Sequence, residues 1–311
     1  VKECLTSRYK RDQYVLTNKL TGNYFESEED IIPLFENQLR ICGVDYFDYY
    51  LMHAQSSRNY EHFKKCKAYE TAFRLKKDGR VKHVGISFHD SPEFLDKMLN
   101  EYPDIEVVQI QFNYADYDDP DVQSKKVYDI ARKHGKDILI MEPVKGGNLV
   151  NLPPEANKVL SSLNGGSNAS YAIRFAAGFD GVIRVLSGMS NIDQMNDKIS
   201  YMEDFKPLTE VEHEAIKKVQ SIFKSLNVIP CTACRYCIDG CPKHIHIPDL
   251  FSIINNRNIY PSYDGEWSYS MHTKDGNKAS SCIKCGACAK VCPQKLKIRD
   301  LLVKVSKELE K

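Results

Sequence analysis

The chain has 311 residues, 42% of them hydrophobic and 27% charged, with 43 Lys and Arg against 42 Asp and Glu. That length exceeds one ordinary core and calls for two domains, unless a barrel of about 200 residues or more takes most of it. The balanced charge offers no field for nucleic acid or an anionic membrane. No apolar run has the length of a membrane span, and the polar start "VKECLTSRYKRD" has no signal-peptide core. The expectation is a cytoplasmic protein with neither nucleic-acid nor membrane partners.

Taken in order, "YVLTNKL" (14–20) is β-branched and apolar and reads as a strand. "EEDIIPLFENQLRICG" reads as a helix ending at Gly43. Ser27 and Asp30 resemble a capping box, and Pro33 places the start near Asp30 with the proline in the first turn. "YFDYYLMHA" (46–54) is a second strand. "YEHFKKCKAYETAFRLKKDG" spaces Phe63, Cys66, Tyr69, Phe73 and Lys76 as on one helix closed by Gly79. Then follow "KHVGISF", a helix near 91–101, "VVQIQFN", a helix near 121–134, "DILIMEP", a helix near 168–177, "GVIRVLSG" and a helix over 191–202.

Six strands alternating with helices, apolar on both faces, predict a parallel sheet with crossover helices. A (β/α)₈ barrel needs two more units, and the first residues read as the tail of a helix. The fold expected for 1–206 is therefore an incomplete TIM barrel, α/β in class, six of eight units, with roughly 60 to 80 residues lost before Val1. Residues 207–227 read as a linker helix, with Val211, Ile216, Val219, Ile222, Phe223 and Leu226 facing a core. Residues 228–311 read as a small α+β ferredoxin-type domain that closes on the helix "KIRDLLVKVSKELEK".

That domain is defined by its cysteines. "CTACRYCIDGCP" places Cys231, Cys234, Cys237 and Cys241 at gaps of two, two and three residues, and "CIKCGACAKVCP" repeats this with Cys282, Cys285, Cys288 and Cys292. Three thiolates two residues apart wrap one [4Fe–4S] cube, and in two-cluster proteins the fourth cysteine serves the other cube. The expected sets are Cys231, Cys234, Cys237 and Cys292 for one cluster and Cys282, Cys285, Cys288 and Cys241 for the other. Zinc sites pair CxxC units across a longer gap, without the third cysteine seen here. Cys4, Cys42 and Cys66 read as small buried core residues. His244 and His246 read as loop or surface residues. The stretch from Asn255 to Ser280 reads as a long loop anchored by Trp267.

Barrel function sits where strands end. Lys19 closes one strand and His53 the next, either as a pocket pair or as a structural ion pair and a satisfied histidine. "VLSGMSN" ends a strand at a helix start. It is either a phosphate site at Gly188 and Ser190 or an ordinary turn capped by Ser190 or Asn191.

Together "VLTNKL", "GVDYFDYYLMH", "VKHVGISFHD", "VVQIQFN", "MEPVKGG" and "VLSGMSNIDQM" resemble the aldo/keto reductase family, in the branch carrying a C-terminal two-cluster domain. The resemblance implies that Lys19 lowers the pKa of a catalytic tyrosine and that His53 orients a substrate carbonyl while NAD(P)H delivers hydride. The family's aspartate and tyrosine belong before residue 1, so the chain is expected to be a fragment. Ser87 and Gln109 match positions that hold the nicotinamide carboxamide, Met141 the position stacked on the ring, and Gly188 and Ser190 the adenosine phosphate loop. Phe88 stands for the usual asparagine beside the serine, and Lys198 for the asparagine near adenine.

A nicotinamide gives two electrons together and a cluster takes one, so coupling them needs a flavin or a redox partner protein. The expected function is an iron–sulfur oxidoreductase acting on a small carbonyl substrate. The alternative is an electron-transfer protein whose barrel is a non-catalytic scaffold.

Overall fold

The computed structural model describes residues 1–119, 122–226, 228–259 and 264–310. It divides into two compact units: Val1–Phe112 with Gln123–Met141 and Phe179–Leu186, and Asn113–Val122 with Glu142–Gly178 and Ser187–Lys311.

The first unit is a six-stranded parallel sheet in sequential order: β1 (Thr17–Leu20), β2 (Phe47–Gln55), β3 (Val81–Phe88), β4 (Val107–Gln111), β5 (Asp137–Met141) and β6 (Val182–Val185). Between them run α1 (Ile31–Cys42), α2 (Tyr60–Lys65), α3 (Ala68–Lys77), α4 (Pro92–Glu101) and α5 (Ser124–Lys133). The strands are apolar on both faces because both are covered. Leu51, Val107 and Leu139 form a buried cluster on one face, with Tyr49 and Ile183 at its border. Tyr50, Met52, Val84, Ile86, Val108 and Ile110 fill a second buried layer. β1 and β6 are the two edges, and β6 has no buried residue, whereas β4 is buried throughout.

Three local expectations change. The Asp30 carboxylate caps the preceding turn, accepting from the amides of Glu26 and Ser27 (both 3.0 Å), so no capping box forms at α1. The helix expected over 60–79 is two, because Lys67 turns left-handed (φ 49°). That break points Cys66 inward, its thiol on the Glu26 carbonyl at 3.2 Å, and lets Lys67 pair with Glu28 at 2.9 Å. Of the three scattered cysteines only Cys66 is buried; Cys42 is half-buried and Cys4 is exposed on an N-terminal helical turn with no core beneath it.

The second unit holds α6 (Pro154–Ser161), which the sequence reading lacks, α7 (Asn168–Ala177), α8 (Ile192–Met202), α9 (Glu210–Ser225), α10 (Tyr236–Asp239), α11 (Ile247–Ile259), α12 (Gly265–His272), α13 (Ala287–Lys290) and α14 (Ile298–Leu309). α9 opens on a capping box between Thr209 and Glu212 and packs on α6. Glu212 is buried against Arg174 in a bidentate pair at 2.7 and 3.0 Å. That pairing turns the expected apolar position Val211 outward, 65% exposed, while Ile216 and Val219 are buried as expected.

Residues 228–259 and 264–310 contain no strand, so the α+β expectation for the tail gives way to short helices around converging thiols. The expected long loop contains the end of α11 and all of α12. Trp267 is 62% exposed rather than an anchor, because α12 turns Ser268 and Tyr269 inward. The core here joins Ile245, Ile247, Leu250, Phe251, Ile298 and Leu302 around Cys237 and Cys288.

Gly85 sits on β3 where an added Cβ would stand 2.4 Å from both Cγ1 and the carbonyl oxygen of Val107 and 2.8 Å from Leu51. We expect Gly85→Ala to destabilise the sheet by about 1–3 kcal/mol, as overpacking does. Urea unfolding followed at the tyrosines should show it, and an unchanged midpoint would mean that β3 and β4 can separate freely.

Candidate functional sites: two cysteine pockets and a strand-end cluster

The two cysteine runs fold alike. Ala233 and Lys284 (φ 53° and 58°), Arg235 and Gly286 (65° and 82°), and His244 and Lys295 (49° and 51°) are left-handed at matching positions. Five of these six are not glycine, so the turns carry local strain that the surroundings hold. The outcome is a tight wrap: the Ala233 amide donates to the Cys231 sulfur at 3.5 Å and the Lys284 amide to the Cys282 sulfur at 3.4 Å. α10 and α13 then carry the third cysteine of each run inward, Cys237 7% and Cys288 6% exposed.

Two small pockets result. One is lined by Cys231, Cys234, Cys237 and Cys292, the other by Cys241, Cys282, Cys285 and Cys288. Each therefore takes three cysteines from one run and the fourth from the other. Burial pushes the Cys231 thiol up to about 11 and Cys237 up to about 12, and raises Cys288 and Cys292 as well. Such thiols give up their protons only to a strong positive charge, which an iron cluster supplies. Thr232, in the wall of the first pocket, has a buried hydroxyl without a protein partner, as a donor to a cluster sulfide would. His244 and His246 are exposed, as expected of them.

Beside the first pocket lies a buried polar group that sequence reasoning missed. Lys145, 6% exposed, makes an ion pair with Asp116 and donates to Gln294 Oε1 at 2.9 Å. Gln294 lines the cysteine pocket, and its Nε2 reaches Glu142 at 3.4 Å. Burial, then the charge of Asp116, raises the Glu142 carboxyl to about 7 against the opposing pull of Lys145. The loop meets the first run closely: a Cβ at Gly146 would stand 2.2 Å from the Thr232 carbonyl oxygen, and Asn148 donates to the Cys231 carbonyl at 2.9 Å.

In the first unit, Lys19 and His53 end neighbouring strands. Burial lowers the pKa of Lys19, and among the described residues no carboxylate pairs with it. His53 is lowered by burial and then by Lys19, and its Nδ1 meets the Thr21 hydroxyl at 2.8 Å. Ser87 is fully buried and accepts from the Ala54 amide at 2.9 Å, pinning the bulge that ends β2. Gln109 donates to the Met141 sulfur at 3.2 Å, and its buried Oε1 has no protein partner, an acceptor that a carboxamide N–H would satisfy. His89 joins this group: burial, His53, Lys19 and Arg58 push its pKa down to about 4. Its signal in the sequence is only its place after the strand "VGISF".

Gly188 and Ser190 belong to the second unit and are exposed. Asn191 caps α8, accepting from the Gln194 amide at 2.9 Å, while the Ser190 amide donates to Gln194 Oε1 at 2.7 Å. Lys198 stands 3.5 Å from Asp197.

Residues 1–221 match the Aldo/keto reductase family, and 230–296 match the 4Fe-4S dicluster domain. The chain belongs to the aldo/keto reductase family. Solved aldo/keto reductases share its fold: one from Brucella melitensis (22% identical, TM-score 0.54, 68% of this chain and 76% of that one) and one from Bacillus halodurans in a holo form (23%, 0.54, 70% and 75%). A third, from Klebsiella pneumoniae in complex with NADPH, is 16% identical with a TM-score of 0.55 over 68% of this chain and 71% of that one. A stretch of 96 residues is 30% identical to a component of the ion-translocating oxidoreductase complex of Buchnera aphidicola, a match spanning 28% of this chain and only 18% of that protein. All eight repeat cysteines fall inside the dicluster match. The chain therefore joins an aldo/keto reductase domain to a 4Fe-4S dicluster domain. Among the described residues no helix is long and apolar enough to cross a membrane.

In this aldo/keto reductase the strand-end histidines give a pH dependence of fixed sign. His89 is held down at about 4 in the fold against an ordinary 6.5, so within that window the unfolded chain binds the proton and the folded chain does not. Stability therefore falls as pH falls through the window. Urea midpoints taken from about pH 8 to about pH 5.5 should drop more for the parent than for His89→Gln. Parallel curves would mean that His89 is not held neutral.

Proposed function

We propose that the chain works as an iron–sulfur oxidoreductase in which the aldo/keto reductase unit handles NAD(P)H and a small carbonyl substrate, and the eight repeat cysteines hold two [4Fe–4S] clusters that pass single electrons. The observation that carries this reading is the pair of pockets, each lined by four cysteines drawn three-to-one from the two runs. The clusters, when bound, supply one-electron storage, with a flavin or redox partner protein dividing the hydride pair.

The protein's own residues set the rest. A Thr21 hydroxyl that donates to Nδ1 leaves the His53 proton on Nε2, free to be given to a carbonyl oxygen; its lowered pKa keeps the ring neutral near pH 7. Lys19, its own pKa lowered by burial, gives positive charge beside the oxygen where negative charge develops. Gln109 Oε1 would accept from a bound carboxamide, Ser87 would have its O–H left to give, and Met141 is the residue assigned to the nicotinamide ring.

Anaerobic reconstitution should load about eight irons per chain. Cys292→Ser should lose the cluster of Cys231, Cys234 and Cys237 and keep the other, leaving about half the iron. Loss of the cluster of Cys282, Cys285 and Cys288 instead would mean that each run binds its own four thiolates.

The functional test adds NADPH or NADH to the reconstituted protein with and without free flavin, and follows cluster reduction by EPR. We expect cluster reduction with one nucleotide, and, with a small carbonyl substrate added, oxidation of that nucleotide slowed about 10²-fold or more by Lys19→Met or His53→Ala. Clusters reducible by dithionite but by neither nucleotide would leave an electron carrier on a non-catalytic barrel.

A further inference from the structure

We propose that Lys145 raises the reduction potential of the cluster held by Cys231, Cys234, Cys237 and Cys292, making that cluster electrostatically distinct from its repeat-related partner. The inference rests on the reading that the cysteines bind clusters and goes beyond it by assigning a positioning residue outside both runs.

One-electron reduction adds a negative charge to a cluster, so a buried cation nearby favours the reduced form. Lys145 is such a cation: it is 6% exposed and lies in contact with both Asp116 and Gln294. Gln294 lines the pocket, so the ammonium is one hydrogen bond behind its wall. Asp116, 1% exposed and braced by Asn113 at 2.8 Å, holds the ammonium in place.

The second pocket is arranged differently. The repeat sets Lys243 where Gln294 stands and Ile283 where Thr232 stands; both line that pocket, but both are exposed, and among the described residues no buried ion pair stands behind them. A lysine in water is screened, whereas Lys145 is not.

The test is an EPR-monitored dithionite titration of the anaerobically reconstituted full chain, at one pH, one electron entering each cluster. Lys145→Met should lower the midpoint that disappears in Cys234→Ser, by about tenfold or more in the reduction equilibrium, some 59 mV for one electron. Asp116→Asn, which leaves the ammonium without its counter-charge, should raise the same midpoint. The other midpoint should stay. Opposite signs separate charge from mere damage, and iron content equal to the parent's shows that the clusters are in place. Should one variant fail to load, the sign given by the other decides. If both variants load fully and neither midpoint moves, or both shift the same way, Lys145 does not tune the cluster. A parent protein that binds no reducible clusters would instead overturn the cluster reading.

Discussion

The tail is governed by the convergence of four thiols on one small space. No side chain fills such a pocket, and burial alone holds the thiols protonated and mutually unhelpful. The chain nonetheless accepts left-handed turns at Ala233, Arg235, His244, Lys284 and Lys295 to bring them there. Each such residue resists that conformation by about 1 kcal/mol or more. The same strain at the same positions of both runs makes sense when a bound group pulls the sulfurs together. The exchange of fourth cysteines then ties residue 292 to the first run and 241 to the second. A loop of some fifty residues becomes a closed ring without a disulfide.

The first unit solves a different problem. A parallel sheet is stable only when both faces are covered, and the six strands meet that with a Leu51–Val107–Leu139 cluster on one side and a helix-facing layer on the other. Polar side chains are then confined to the strand ends. There burial lowers the pKa of Lys19, His53 and His89 alike, and the charge of Lys19 lowers the two histidines further.

Much of this was legible in the sequence. The strands were, because buried parallel strands are short apolar runs between turn residues, and "DYYLMHA" or "DILIM" reads in few other ways. The grouping of the cysteines around two pockets was, because three cysteines two residues apart wrap one space while the fourth, after a short turn, points away. The break at Lys67 was not: a lysine gives no sign of a left-handed turn that only the burial of Cys66 explains. Helix α12 hid in a polar stretch rich in Asn, Gly and Ser, held by the Asp264 cap and by Tyr269 rather than by an apolar stripe. Val211 changed places with Glu212 because Arg174, 38 residues away, supplied a partner that periodicity cannot see.

The Lys145 group shows the same limit where it matters most. Its contacts span 29 residues to Asp116 and 149 to Gln294, so no local pattern marks it. In the sequence, "MEPVKGG" is a strand end followed by a turn. In the fold its lysine is buried, a state tolerated only when the charge is paired and hydrogen-bonded. An apolar pair of the same size would fill the space with less desolvation, so packing alone does not account for an ion pair here. What an apolar pair cannot do is project charge into the wall of a neighbouring pocket. Gly146, which no larger residue could replace without striking Thr232, brings the loop near enough for that charge to be felt. The turn after β5 thus sets Glu142 and Lys145 against the wall of the first cysteine pocket.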